Sequence, residues 1–136
     1  MTINEIQNEL IEDFELFDDW EEKYEYIIDL GKKLAPMSDE FKTDENIIKG
    51  CQSVVWLRAF MKDGLLYFEA DSQAIIVKGL VSMLLKVLSG HTPSEITNAD
   101  LYFIEKVGLA SHLAQTRSNG LASMVKQMKM YSIAFS

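Results

Sequence analysis

Apolar residues recur at intervals of three and four at the start of the chain, at Ile6, Leu10, Phe14 and Phe17, which predicts an amphipathic helix. Thr2 and Glu5 stand before it with the spacing of a capping box. Asp18 and Asp19 interrupt the pattern. Asp19 is placed to cap a second helix with the stripe Trp20, Tyr24, Ile27, Ile28 and Leu34; Lys32 and Lys33 lie near its C-terminus and Pro36 just beyond. The acidic positions between these stripes read as the solvated faces of the pair.

After a polar stretch from Ser38 to Asn46 the pattern changes. Gln52 to Phe60 is rich in Val, Trp, Leu and Phe, Leu65 to Ala70 is similar, and Lys62-Asp63-Gly64 between them predicts a β-hairpin with a glycine-containing turn. Ile47 and Ile48 are expected to add a third strand. The helical period then returns. Asp71 or Ser72 is expected to cap a helix through Ile76, Val77, Leu80, Val81, Leu84, Leu85 and Leu88, apolar around much of its circumference, with Gly90 ending it. Thr92-Pro93-Ser94-Glu95 combines a cap, a proline at the first helical position and a capping-box glutamate, so a short helix starts there. Another is expected over Leu101 to Val107. A last helix is expected from near Thr116 to Ser118, with Leu121, Met124, Val125 and Met128 in the core. The fold class is therefore α+β, a small three-stranded antiparallel sheet packed with helices in one domain spanning residues 1–136.

Composition fits that domain and narrows its chemistry. The 136 residues, 48% hydrophobic and 25% charged, suit a single packed core rather than a disordered or fibrous chain. The net charge of −8 is unevenly placed: residues 1–45 hold fifteen acids against four lysines, a net of −11, whereas residues 46–136 have a net of +3. Nucleic acid is an unsuited partner, because its binding rests on clustered Lys and Arg. No apolar run is long enough to span a bilayer and the N-terminus lacks a secretory pattern, so no membrane partner and a cytoplasmic location are expected. One cysteine can neither close an internal disulfide nor build a structural zinc or iron–sulfur site, and no cofactor of the chain's own is expected.

Cys51 is the leading candidate for chemistry. It follows Gly50 at the entry to the predicted sheet, where a loop on rigid support presents a side chain; the competing reading is a small buried hydrophobe. His91 and His112 are the only histidines, each beside a helix-boundary signal, and no cysteine-hydrolase signature accompanies them. The glycines are dispersed, so no phosphate-binding loop is present.

The run Ile48-Lys49-Gly50-Cys51-Gln52-Ser53-Val54-Val55-Trp56 resembles the Gly-Cys-Gln-Ser-x-Val-Trp motif of the SufE family, sulfur acceptors that work with cysteine desulfurases in iron–sulfur cluster assembly. Trp20 to Gly31 is similar to that family's N-terminal helix. Asp71-Ser72 with Ala74 to Leu80 is similar to its central helix, and Arg117-Ser118-Asn119-Gly120-Leu121 with Met124 to its C-terminal segment. The likeness runs in order from about Trp20 to Met128; Ala70 and Gln115-Thr116 depart from the family pattern.

The resemblance implies a fold like that of the cluster scaffold and a functional cysteine at Cys51. It implies that Cys51 takes sulfane sulfur from the persulfide of a SufS-type pyridoxal-phosphate desulfurase, stimulates that enzyme, and delivers the sulfur to a Suf cluster-scaffold complex. Gly50, Gln52, Asp71 and Arg117 stand in the shared motifs as supporting residues. Such a protein acts as a transfer partner rather than a stand-alone enzyme. The alternative is a non-covalent adaptor that activates a desulfurase, with Cys51 structural. Transfer is a thiolate attack on a persulfide, which benefits from a lowered thiol pKa but requires no acid–base pair. Arg117 and backbone N–H groups near Cys51 are candidates to stabilise the thiolate, and a loop that shelters the thiol until a partner docks is expected.

Overall fold

The computed structural model describes all of residues 1–136. Helix α1 (Ile3–Glu15) starts at the expected capping box: Thr2 Oγ1 accepts from the Glu5 N–H at 3.1 Å, and Glu5 Oε1 accepts from the Thr2 N–H at 2.9 Å. Helix α2 (Trp20–Lys32) starts at Asp19, whose carboxylate accepts from the Glu22 N–H at 2.9 Å. Two single 3-10 turns, Asp39–Phe41 and Asp44–Asn46, fill the polar stretch. Strands β1 (Val55–Lys62) and β2 (Leu65–Ser72) pair antiparallel, Val55 opposite Ser72 and Lys62 opposite Leu65. Asp63 and Gly64, both at positive φ (54° and 81°), close the hairpin, the conformation demanded by a two-residue turn that matches strand twist.

The third strand expected at Ile47 and Ile48 is not formed. Ile47 makes a single bridge to Trp56 and the Ile48 N–H donates to the Val55 carbonyl at 2.9 Å. The tight turn at Asp44–Asn46 precedes this contact and Gly50, at φ 92°, turns the chain away after it, so pairing cannot propagate and the sheet has two strands. β1 also begins at Val55 rather than Gln52, which leaves Cys51 to Val54 as loop.

Helix α3 (Ile75–Leu88) is the centre of the core, with Leu80, Val81, Met83, Leu84, Val87 and Leu88 fully enclosed. Neither Asp71 nor Ser72 caps it in the ordinary way. Both complete β2, and the helix is entered through Ala74, with Ser72 Oγ accepting from the Ala74 N–H at 3.3 Å and donating to the Val54 carbonyl at 2.7 Å. The inner face of β2, Leu66, Phe68 and Ala70, packs on α3 from one side, and α2 crosses it on the other. At that crossing Gly31 and Gly79 bring the backbones together: a Cβ on Gly79 would lie 2.2 Å from the Ile27 carbonyl oxygen. Helix α4 (Pro93–Asn98) has the predicted capping box of Thr92 and Glu95. Two single turns, α5 (Phe103–Lys106) and α6 (Leu109–His112), lead to the long α7 (Gln115–Ala134), which starts slightly before the predicted boundary and buries Leu121, Met124 and Met128, while Val125 is only half-buried. No helix is long and apolar enough to cross a membrane.

Candidate functional site

The loop that carries Cys51 is fixed at both ends and pressed against α7. Buried Ile48 and the Ile48–Val55 hydrogen bond hold its base, and the Ser72 hydroxyl holds the carbonyl of Val54. Between them Gly50 adopts φ 92°, a region that L side chains rarely enter, and a Cβ there would stand 2.5 Å from Ser123 Oγ on α7. Glycine thus lets the loop lie close along the helix. The next residue is delivered against α7 at Gly120, where the Cys51 thiol donates to the Gly120 carbonyl at an Sγ···O distance of 3.5 Å. Gly120 also clears space beside the sulfur, since a Cβ on it would lie 3.6 Å from Sγ.

Cys51 is half-buried and opens on a cavity of about 260 Å³. The loop contributes Cys51, Gln52 and Ser53; α7 and the residue before it contribute Ala114, Thr116, Arg117 and Gly120; Val77 of α3 and Met124 of α7 add apolar wall. Burial pushes the Cys51 thiol above its ordinary pKa, so the resting group is the neutral thiol that donates to Gly120. Arg117 is exposed and has no carboxylate within salt-bridge distance, which leaves its charge free to act toward the cavity. Gly50, Gln52 and Arg117 are therefore gathered at Cys51.

Asp71 is not among the residues that line this cavity. Its carboxylate meets Lys42 Nζ at 2.9 Å and Lys78 Nζ at 3.3 Å and accepts from the Ser72 N–H at 2.8 Å. Burial alone would raise its pKa, but these donors outweigh it and hold the carboxyl below the usual range. Asp71 ties the polar segment after α2 to β2 and α3. The histidines are engaged elsewhere: His91 is buried between the carbonyls of Leu88 and Met1, with ring nitrogens at 3.3 and 3.0 Å, and His112 stacks on Trp20 with ring centroids 4.1 Å apart. Neither lines the cavity, and neither does any carboxylate, so the arrangement offers a thiol and a guanidinium but no general base. No group of three or more His, Cys, Asp or Glu side chains is arranged to hold a metal ion.

Sequence reasoning gives Gly120, Val77 and Thr116 no role at the site: Val77 reads as core and Thr116 as a departure from the family pattern, while Gly120 stands in the C-terminal motif and, as an isolated glycine within a helical pattern, carries the one further signal of a packing or functional reason.

A family model described as "SufE: Fe-S metabolism associated domain" matches residues 8–132. The chain is 44% identical over 127 residues to an uncharacterised SufE-like protein of Rhizobium meliloti, covering 90% of this chain and 91% of that one. It is 40% identical over 126 residues to an uncharacterised SufE-like protein of Synechocystis, covering 93% of this chain and 79% of the relative. Among solved structures, that of a hypothetical protein from Thermus thermophilus superposes with a TM-score of 0.78 at 17% identity, over 95% of this chain and 94% of the other; this likeness speaks to the fold.

Proposed function

The chain belongs to the SufE family, whose domain is associated with Fe–S metabolism, and on that premise we propose that it is a sulfur carrier whose working atom is Cys51 Sγ. In this reading the Cys51 thiolate attacks the outer sulfur of a persulfide on a pyridoxal-phosphate cysteine desulfurase. The new S–S bond forms on Cys51 as the donor's S–S bond breaks, the donor sulfur leaves as a thiolate, and the Cys51 proton passes to solvent or to that leaving group. Sulfane sulfur keeps its oxidation level, so no external oxidant or reductant is needed. The carrier stimulates the desulfurase by clearing its persulfide and then yields the sulfur to a cluster scaffold in the cytoplasm.

The observation that supports this best is the lone thiol, half-buried beside a cavity that holds a free guanidinium and no histidine, carboxylate or second thiol. Hydrolysis would need a base that is missing. Exchange needs only a reachable thiolate and a cation to stabilise it. Its half-buried position shelters the sulfur from solvent, which suits a carrier whose sulfane sulfur must survive between partners. Mass spectrometry after incubation with a cysteine desulfurase and free cysteine tests the reading: a one-sulfur adduct is expected on the wild type and none on Cys51→Ser. Full stimulation of the desulfurase by Cys51→Ser, with no adduct on the wild type, would replace the carrier with a non-covalent activator.

A further inference from the structure

Next to the Cys51 cavity along the loop and α7, and sharing no lining residue with it, runs a second groove of about 380 Å³. Lys49 and Gly50 form one wall and Ser123, Lys126, Gln127 and Met130 the other. Lys49 and Lys126 are exposed, and neither has a carboxylate within salt-bridge distance; all five ion pairs of the molecule lie elsewhere. Met130 adds an apolar side chain that is 52% exposed, continued along α7 by Ile133 at 59%. The charge setting is one-sided. Residues 106–136 contain four cations and no acid, whereas residues 1–45 contain fifteen acids. Together the two cavities that flank the Cys51 loop are lined by three cations, Lys49, Arg117 and Lys126, and no carboxylate, on a molecule of net charge −8.

We infer that the Lys49–Lys126 groove is a docking site for an acidic segment of the sulfur donor, with Met130 receiving an apolar side chain of the same segment. This rests on the reading of Cys51 as the acceptor of a donor's persulfide. Charge complementarity is the argument. An acidic protein approaching a chain of net −8 is repelled in general, whereas the two cavities beside the reacting thiol carry cations and no carboxylate in their linings, and two of those three cations, Lys49 and Lys126, line this groove. The groove shares Gly50 with the Cys51 loop, so a segment seated there is held one residue from the thiol while Arg117 stays free to face the incoming persulfide. The donor is the fitting occupant because acceptance is the step at which a sheltered, protonated thiol must meet its partner in register.

The test is persulfide transfer from a purified cysteine desulfurase to the full-length chain, read as the KM for the chain and the maximal rate, at about 50 mM and about 300 mM salt. The double variant Lys49→Glu/Lys126→Glu is expected to raise KM by about tenfold or more at low salt with the maximal rate retained, and to remove most of the salt dependence of the wild type. Lys62→Glu, a single such reversal at the hairpin turn outside both cavities, is expected to leave KM within about twofold of wild type. Lys49→Arg/Lys126→Arg is expected to keep wild-type KM, and circular dichroism with the alkylation rate of Cys51 reports that the fold and the thiol are unchanged. Unchanged KM in the reversal variant, with the wild type gaining its sulfur, overturns the groove and leaves the carrier reading intact. Normal loading of the reversal variant with impaired delivery to a scaffold also overturns it, by giving the groove to the acceptor. Absence of an adduct on the wild type overturns both.

Discussion

At the residue scale Cys51 is defined by its burial and by two neighbours, Gly120 and Arg117. Burial raises its pKa, the Gly120 carbonyl accepts a hydrogen bond from its S–H, and Arg117 is the only cation lining its cavity. Because the fold favours the neutral thiol, whatever stability this group contributes is present below the ordinary thiol pKa and is lost as pH rises through the elevated folded value. Alkylation by iodoacetamide is accordingly expected to be slower in the folded chain than in the urea-unfolded chain at mildly alkaline pH, with the two rates converging as pH climbs; equal rates throughout would remove the sheltering. Arg117→Ala is expected to push the thiol pKa up further, read from the pH dependence of alkylation, and an unchanged profile would mean that the guanidinium does not act on the sulfur. Gly120→Ala separates packing from chemistry. Its Cβ would sit at ordinary contact distance from Sγ, 3.6 Å, and alanine is favoured over glycine within a helix by about 0.5–1 kcal/mol, so the variant should melt no lower than wild type. If Cys51 is the sulfur acceptor proposed above, the variant should nevertheless load more slowly in the persulfide-transfer assay, because the added methyl occupies the clearance beside the thiol. Cys51, Gly50, Gln52 and Arg117 were all legible in the sequence as motif residues. The clearance at Gly120 was not, because it depends on which helix the loop lies against.

Element by element, the capped helices and the β1–β2 hairpin were legible, whereas the short α6 and the failure of the third strand to pair were not. Local signals define a helix, and the boxes of Thr2 with Glu5 and Thr92 with Glu95 and the cap at Asp19 stand where the residues predict them. A strand needs a partner over several residues, and Ile47 and Ile48, suitable by residue type, are cut off between a tight turn and Gly50. Asp71 and Ser72 look like caps locally, yet tertiary partners claim them: Lys42 and Lys78 for the one, the Val54 carbonyl for the other. The crossing of α2 and α3 is likewise a tertiary fact. A Cβ on Gly79 would meet the Ile27 carbonyl at 2.2 Å, and one on Gly31 would meet the Gly79 nitrogen at 2.7 Å, both backbone atoms that cannot rotate away. Gly79→Ala is therefore expected to cost about 3 kcal/mol despite its better helix propensity, since the two helices must separate. Denaturant unfolding checks this, and a midpoint at or above that of wild type would show that the crossing yields easily.

For the molecule as a whole, charge sets the range of pH over which the fold holds. Three carboxyls lie below their ordinary pKa, each through donors that the fold supplies. Glu5 and Glu95 are lowered by hydrogen bonds from the backbone N–H and then the side chains of Thr2 and Thr92; for Asp71, donors led by Lys42 overcome burial. A lowered folded pKa contributes stability that is complete above the ordinary carboxyl value and disappears as pH falls through the folded one. On the alkaline side, burial and the Asp13 carboxylate raise Tyr26, and burial raises Tyr131 and Cys51, so stability declines as pH climbs through their folded values. The melting temperature is therefore expected to be flat around neutrality and to fall below about pH 4. Asp71→Asn tests the part of the acid limb that rests on ion pairs, because the side chain is 14% exposed and its loss leaves Lys42 and Lys78 without their shared partner. The variant should lose about 1–2 kcal/mol at pH 7, a drop of several degrees in a domain of this size, and lose less than wild type on further acidification. Scanning calorimetry at pH 7 and at about pH 4 reads both arms, and a melting temperature equal to wild type at pH 7 would mean that Asp71 fastens nothing.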